Sequence, residues 1–155
     1  MTALARPIAT LGPIGSLPLA PATWGSAVVV LAGWFIPVPP LPAALALLAL
    51  VAVVAVWSAG EAEKTLGHDA KPIVVDELVG QWIALLFVPK QPLAFITAFA
   101  LFRLFDIWKP LGARAIQRLP GGYGVVADDV IAGATACAAF HLLAWGARSM
   151  GFVLF

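Results

Sequence analysis

Charge is what this sequence has least of. Of its 155 residues, 11% are Asp, Glu, Lys or Arg and 62% are hydrophobic, whereas a soluble globular domain carries roughly 25% charged residues. From Pro7 to Gly60 there is no charged side chain at all, a run of 54 residues. Only a bilayer or a very large core hides such a stretch, and a chain of 16.1 kDa has no such core. Nine basic residues against eight acidic ones leave a net charge of +1, which provides no field for gripping a polyanion. DNA and RNA are therefore excluded as partners. The single Cys137 rules out an internal disulfide framework and a thiolate metal cage, since either needs several sulfurs. It reads as a small apolar packing residue.

What is present is a set of apolar segments punctuated by proline and by crowded polar stretches. Pro7, Gly12, Pro13, Gly15 and Pro18 interrupt the apolar core that a cleaved signal peptide requires, so residues 1–23 read as a retained, irregular interfacial lead-in. Hydropathy then predicts an all-α polytopic bundle of four to five spans, near 24–36, 41–59, 73–88, 93–107 and 125–147. The second is the cleanest, with 19 uncharged residues and a rise of about 28 Å. Threading five spans gathers Arg6, Lys64, Lys71, Arg103, Lys109, Arg114 and Arg118 on one side, which the positive-inside rule names as cytoplasmic. All eight acidic residues fall on that side too, which the rule does not require and which points to a site.

The acidic residues come in pairs at span ends. Asp76 and Glu77 open the third span, Asp128 and Asp129 open the fifth, and Asp106 follows Arg103 by three residues on one face of the fourth. Carboxylates converging without a counterion repel by about 4 kcal/mol per close pair at an effective dielectric of 20. A divalent cation removes that penalty, and all-oxygen ligands favour Mg²⁺, with Mn²⁺ or Ca²⁺ as alternatives. The segment 103–118 is mainly basic and 61–77 mainly acidic, as suits a metal bound beside a phosphate. Arg103 and Lys109 are the candidate phosphate clamps. Gly121 and Gly122, just before the fifth span, are candidates for presenting backbone N–H groups to an anion.

Three stretches carry a resemblance: IVVDELVGQW at 73–82, FRLFDIWKP at 102–110 and GGYGVVADDVIAG at 121–133. They look like the signature blocks of the phosphatidylglycerophosphatase A family, and PATWGS at 21–26, with Thr23, is similar to a fourth block. Membership would imply a Mg²⁺-dependent lipid phosphatase of the bacterial inner membrane with its site facing the cytoplasm. The reaction implied converts phosphatidylglycerophosphate to phosphatidylglycerol and inorganic phosphate. Matched by position, the family's acidic residues fall on Asp69, Asp76, Glu77, Asp106, Asp128 and Asp129 as metal ligands, the last five also as catalytic groups. The substrate contacts fall on Arg103, Lys109, Thr23, Gly121 and Gly122. Two departures stand out: Ala22 where the family usually has Gly, and Leu111-Gly112-Ala113 where Trp-Pro-Ile commonly follows Lys-Pro. The attacking group is either a water that gives its proton to a carboxylate or an aspartate that becomes phosphorylated.

Other chemistries meet obstacles. A thiol phosphatase needs Arg six residues after its Cys, where this chain has Leu143. The Asp-x-Asp-x-Thr of haloacid-dehalogenase-like enzymes and the Asp-x-x-Asp-Gly of CDP-lipid transferases are absent, and two histidines, His68 and His141, do not make a paired-His phosphatase. The alternative class is a small cation or proton transporter, since intramembrane carboxylates mark ion pathways. Glu61, Glu63 and Lys64 read as a solvated helix end, His141 as a packed or interfacial residue, and the six tryptophans as an interfacial belt. The lipid substrate and the bilayer are the expected partners, and the oligomeric state is left open.

Overall fold

The computed structural model describes residues 3–37, 39–109 and 116–152. Among these there is no strand. The helices are α1 (Ala5–Ala9), α2 (Pro21–Phe35), α3 (Leu41–Leu66), α4 (Asp76–Ala84), α5 (Pro92–Trp108) and α6 (Tyr123–Ser149), with a 3-10 turn at Ile14–Ser16. Proline opens α2, α3 and α5 at the first or second position, where its missing N–H has no intrahelical partner to lose. The proline punctuation read from the sequence thus falls at helix starts.

Two helices, α3 with 26 residues and α6 with 27, are long and apolar enough to cross a membrane. At 1.5 Å per residue each exceeds the roughly 30 Å hydrocarbon thickness. Only 17% of the most apolar window of α3 and 28% of that of α6 are buried inside the fold. Leu45, Leu47, Leu50 and Val53 on α3 and Leu142, Leu143 and Trp145 on α6 face outward, the reverse of a core helix in a soluble protein. The chain is a helical membrane protein. The expected third span is much reduced, because 73–88 is helical only over Asp76–Ala84. Before it, the Val74 and Val75 N–H groups both donate to the Ala9 carbonyl, at 2.9 and 3.1 Å, which holds that approach out of the helix. After it, Leu86 and Val88 bond back only three residues and Phe87 takes a φ of 62°.

Nine residues rise only about 14 Å, so α4 does not cross a bilayer alone; it is instead enclosed, touching α2, α3, α5 and α6. Where α4 meets α6, Gly80 and Gly133 bring backbone against backbone. A Cβ on Gly133 would lie 2.2 Å from the Gly80 carbonyl oxygen, and one on Gly80 would lie 2.7 Å from that of Asp129. Glu77 stands three residues before Gly80 and Asp129 four before Gly133, so this crossing brings their turns together. The N-terminal lead-in, expected to be irregular, contributes to the interior. Helix α1 rests on α3, with Ala5 and Ala9 fully buried and Ala9 packed in one cluster with Ala55, Ala59 and Ala62.

Candidate active site

Glu77 is tied to two neighbouring helices. In the first turn of α4, its Oε2 accepts hydrogen bonds from Ser26 Oγ on α2 at 2.9 Å and from the Arg103 guanidinium on α5 at 2.7 Å. Arg103 also reaches Asp106 Oδ2, one turn along α5, at 3.0 Å. Asp129 comes in from α6, and one carboxylate oxygen each of Glu77, Asp106 and Asp129 lie within 4.8 Å of one another. Four helices thereby supply one polar cluster, most of it buried: Ser26, Glu77 and Asp129 are each under 5% exposed. One guanidinium does not neutralise three carboxylates. Asp129 Oδ2, Asp76 Oδ1 and Asp128 Oδ1 are moreover buried with no hydrogen-bond partner in the protein, an arrangement that native structures seldom leave uncompensated. Anionic oxygens as the sole donors, some unpartnered, are what a hard divalent cation takes. The residues present fit such an ion.

A second group lies alongside. Lys109 caps the C-terminus of α5 with a φ of 52°, a left-handed conformation that costs a non-glycine residue about 1 kcal/mol or more. Its ammonium bonds the Asp128 carboxylate. Burial lowers the pKa of this ammonium, but Asp128, with Asp106 and Asp69 behind it, outweighs burial and leaves it above the ordinary lysine value. Asp69, also at positive φ (49°), takes a hydrogen bond from the Gln117 side-chain amide. Desolvation by the surrounding protein raises its carboxyl above the usual aspartate range, Asp128 and Asp106 add to the rise, and Lys109 and His68 oppose it. Asp69 and Asp128 thus sit in the same electrostatic neighbourhood as Asp106 without joining the close three-carboxylate set.

A family model described as phosphatidylglycerophosphatase A matches residues 7–144. The chain belongs to this family. Similar relatives include the Escherichia coli K12 phosphatidylglycerophosphatase A, 30% identical over 122 residues that cover 77% of this chain and 71% of that one. The Haemophilus influenzae phosphatidylglycerophosphatase A is 46% identical over 67 residues, 42% of this chain and 41% of the relative. A Bacteroides thetaiotaomicron protein with the provisional name phosphatidylinositol-3-phosphatase is 51% identical over 80 residues, 50% of either chain. The match thus spans about half the length of the Bacteroides relative. No solved structure matches the chain.

Within this member of the phosphatidylglycerophosphatase A family, the positions expected from the sequence separate by geometry. Glu77, Asp106, Asp129 and Arg103 meet directly. Asp76 is buried in the same first turn of α4, and Asp128 turns to Lys109. Thr23 is half-buried on α2, three residues before Ser26 and so on the same helical face. The Gly122 N–H, expected to face an anion, donates to Glu63 Oε2 at 3.1 Å, and a Cβ there would lie 2.3 Å from the Val56 carbonyl oxygen. Gly121, with φ 72°, has open space beside it. Residues 110–115, which include Arg114 and the departure at 111–113, lie outside the described residues.

Four contributors were not singled out from the sequence. Ser26 closes the block at 21–26 and bonds Glu77. Gln117 bonds Asp69. Gln81, one turn after Glu77, is fully buried with both amide atoms unpartnered. Glu63 was expected on a solvated helix end, yet its side chain is 10% exposed and meets His68 Nδ1 at 2.6 Å. That end of α3 does carry an exposed pair, Lys64 with Glu61. His141 matches its expected packed role, with Nε2 3.1 Å from the Leu86 carbonyl oxygen.

Proposed function

We propose that the chain hydrolyses the terminal phosphomonoester of phosphatidylglycerophosphate, giving phosphatidylglycerol and inorganic phosphate, with Mg²⁺ as its cation. The observation that carries this reading is the convergence of Glu77, Asp106 and Asp129 beside Arg103, in a chain whose family is phosphatidylglycerophosphatase A over residues 7–144. Glu77, Asp106 and Asp129, with Asp76, Asp128 and Asp69 around them, are the residues assigned to hold Mg²⁺. When bound, the ion offsets phosphate charge and acts as a Lewis acid toward the phosphoryl group.

The chain's own groups do the rest. Arg103 Nε is buried and unpartnered, and with the Lys109 ammonium it supplies donors to the phosphate oxygens. Ser26 holds Glu77 in place for its part. Either a carboxylate of the cluster takes the proton of an attacking water, or an aspartate attacks directly and its phosphoryl group is then released by water; trapping of radiolabelled phosphoprotein in a single turnover separates the two. In either case the phosphorus–oxygen bond to the glycerol breaks, and the leaving oxygen takes a proton. The lipid arrives from a bilayer crossed by α3 and α6, with the shorter α2 and α5 embedded beside them and the polar site opening to the cytoplasm of the inner membrane. The transport alternative gains no support from the family.

The test is phosphate release by the purified chain in detergent from phosphatidylglycerophosphate, with phosphatidylinositol 3-phosphate assayed in parallel. Release from the former is expected with Mg²⁺, lost in EDTA and restored by Mg²⁺. Equal release in EDTA contradicts the role given to the carboxylates, and release only from the inositol lipid contradicts the substrate.

A further inference from the structure

Glu63, on the last turn of α3, collects hydrogen bonds from two segments far apart in sequence. Its Oε1 accepts from His68 Nδ1 at 2.6 Å and from the Asp69 backbone N–H at 3.1 Å, while its Oε2 accepts from the Gly122 backbone N–H at 3.1 Å. His68 Nε2 in turn lies 2.9 Å from the Gln117 carbonyl oxygen, and the Gln117 amide bonds the Asp69 carboxylate. The connections close a ring through Glu63, His68, Gln117 and Asp69. Gly122 is the N-cap of α6, whose first N–H groups have no intrahelical acceptor, and Asp128 and Asp129 follow within two turns. Asp69 sits at a φ of 49°, in the left-handed region, which aspartate visits more readily than most side chains and which its bonds to Glu63 and Gln117 hold here.

We infer that Glu63 is a positioning residue: one carboxylate oxygen fixes Asp69, the other fixes the start of α6, and together they hold Asp69 in register with Asp128 and Asp129. The inference rests on the proposed function, which places Asp69 among the groups around the cation. A carboxylate serves here because all its oxygens accept. Glu63→Gln keeps the size but turns an NH₂ group toward one set of N–H donors, so one of the two attachments is lost. Outer-layer groups that orient a ligand typically change metal affinity by about 10- to 100-fold.

The experiment uses the purified chain in detergent and reads Mn²⁺ binding by electron paramagnetic resonance, together with kcat and thermal stability. It compares wild type, Glu63→Gln, Asp69→Asn, the double variant, and Glu61→Gln as a control for lost charge on the same helix end. Glu63→Gln is expected to weaken Mn²⁺ binding about tenfold or more, and Glu61→Gln to leave it unchanged. In the Asp69→Asn background, Glu63→Gln is expected to add less than about a twofold change, because residues acting through one another are not additive. Glu63→Asp keeps the charge but withdraws the oxygens by one methylene; it is expected to weaken binding in the same direction and serves where Glu63→Gln does not fold. Unchanged Mn²⁺ binding in Glu63→Gln, or fully additive losses in the double variant, overturns the inference while leaving the site intact. No effect of Asp69→Asn overturns the inference and the place given to Asp69 around the cation, while the phosphatase reading stands or falls with Glu77, Asp106 and Asp129.

Discussion

Asp129→Asn is expected to lower kcat about a thousandfold while leaving the cation-free protein as stable as wild type or more so. The two effects have one origin. Asp129 is buried, one of its oxygens has no protein partner, and its carboxylate shares a 4.8 Å set with Glu77 and Asp106. Like charges at that spacing repel by about 3 kcal/mol per pair at an effective dielectric of 20, and Arg103 offsets only part of this. Asparagine has the same shape, so it removes repulsion without opening a cavity. It also removes a proposed anionic ligand and turns an amide N–H toward the position proposed for the cation, where losing one electrostatic contact costs about 10²- to 10³-fold in kcat. Thermal melts in EDTA and kcat with Mg²⁺ therefore move in opposite senses. A variant that melts lower and keeps its activity would show Asp129 to be a structural acid.

Gly133→Ala is expected to destabilise the fold and abolish most activity, although Gly133 offers no side chain to the site. The added methyl would stand 2.2 Å from the Gly80 carbonyl oxygen and 3.1 Å from its Cα. Both are backbone, so α4 and α6 must separate, and overpacking of this kind typically costs about 1–3 kcal/mol. Separation also carries Asp129 away from Glu77, so the remaining folded protein loses cation affinity as well. Gly146→Ala is the internal comparison. A Cβ there meets nothing within 4 Å, and replacing a helical glycine gains about 0.5–1 kcal/mol. Melting temperatures that rank Gly146→Ala above wild type and Gly133→Ala well below it bear out the crossing.

Much of the site was legible because charge is so scarce. In a chain where 54 consecutive residues carry none, each acid stands out, and the acids at 76–77, 106 and 128–129 mark the carboxylates that the fold brings near one another. The adjacent pairs hid a distinction, however. Neighbouring residues on a helix point about 100° apart, so Glu77 and Asp129 face the shared cluster, while Asp128 turns to Lys109. The shortness of α4 was not legible, since the apolar residues on either side continue the hydropathy signal. What holds the chain out of the helix before it is tertiary, the Ala9 carbonyl bonding Val74 and Val75, and after it a local turn at 85–88. Glu63 escaped for a similar reason. Two of its partners are backbone N–H groups at Asp69 and Gly122, which no side-chain pattern announces, and its neighbours Glu61 and Lys64 do form the exposed pair expected of a helix end.

Carboxylates from α4, α5 and α6 are proposed to share one divalent ion next to Arg103. Anomalous diffraction from crystals of the chain grown with Mn²⁺ tests it most directly. The prediction is a Mn²⁺ peak ligated by oxygens of Glu77, Asp106 and Asp129, absent in Asp129→Asn. A peak bound elsewhere, with these three carboxylates holding no metal in crystals whose protein is active with Mn²⁺, would contradict it.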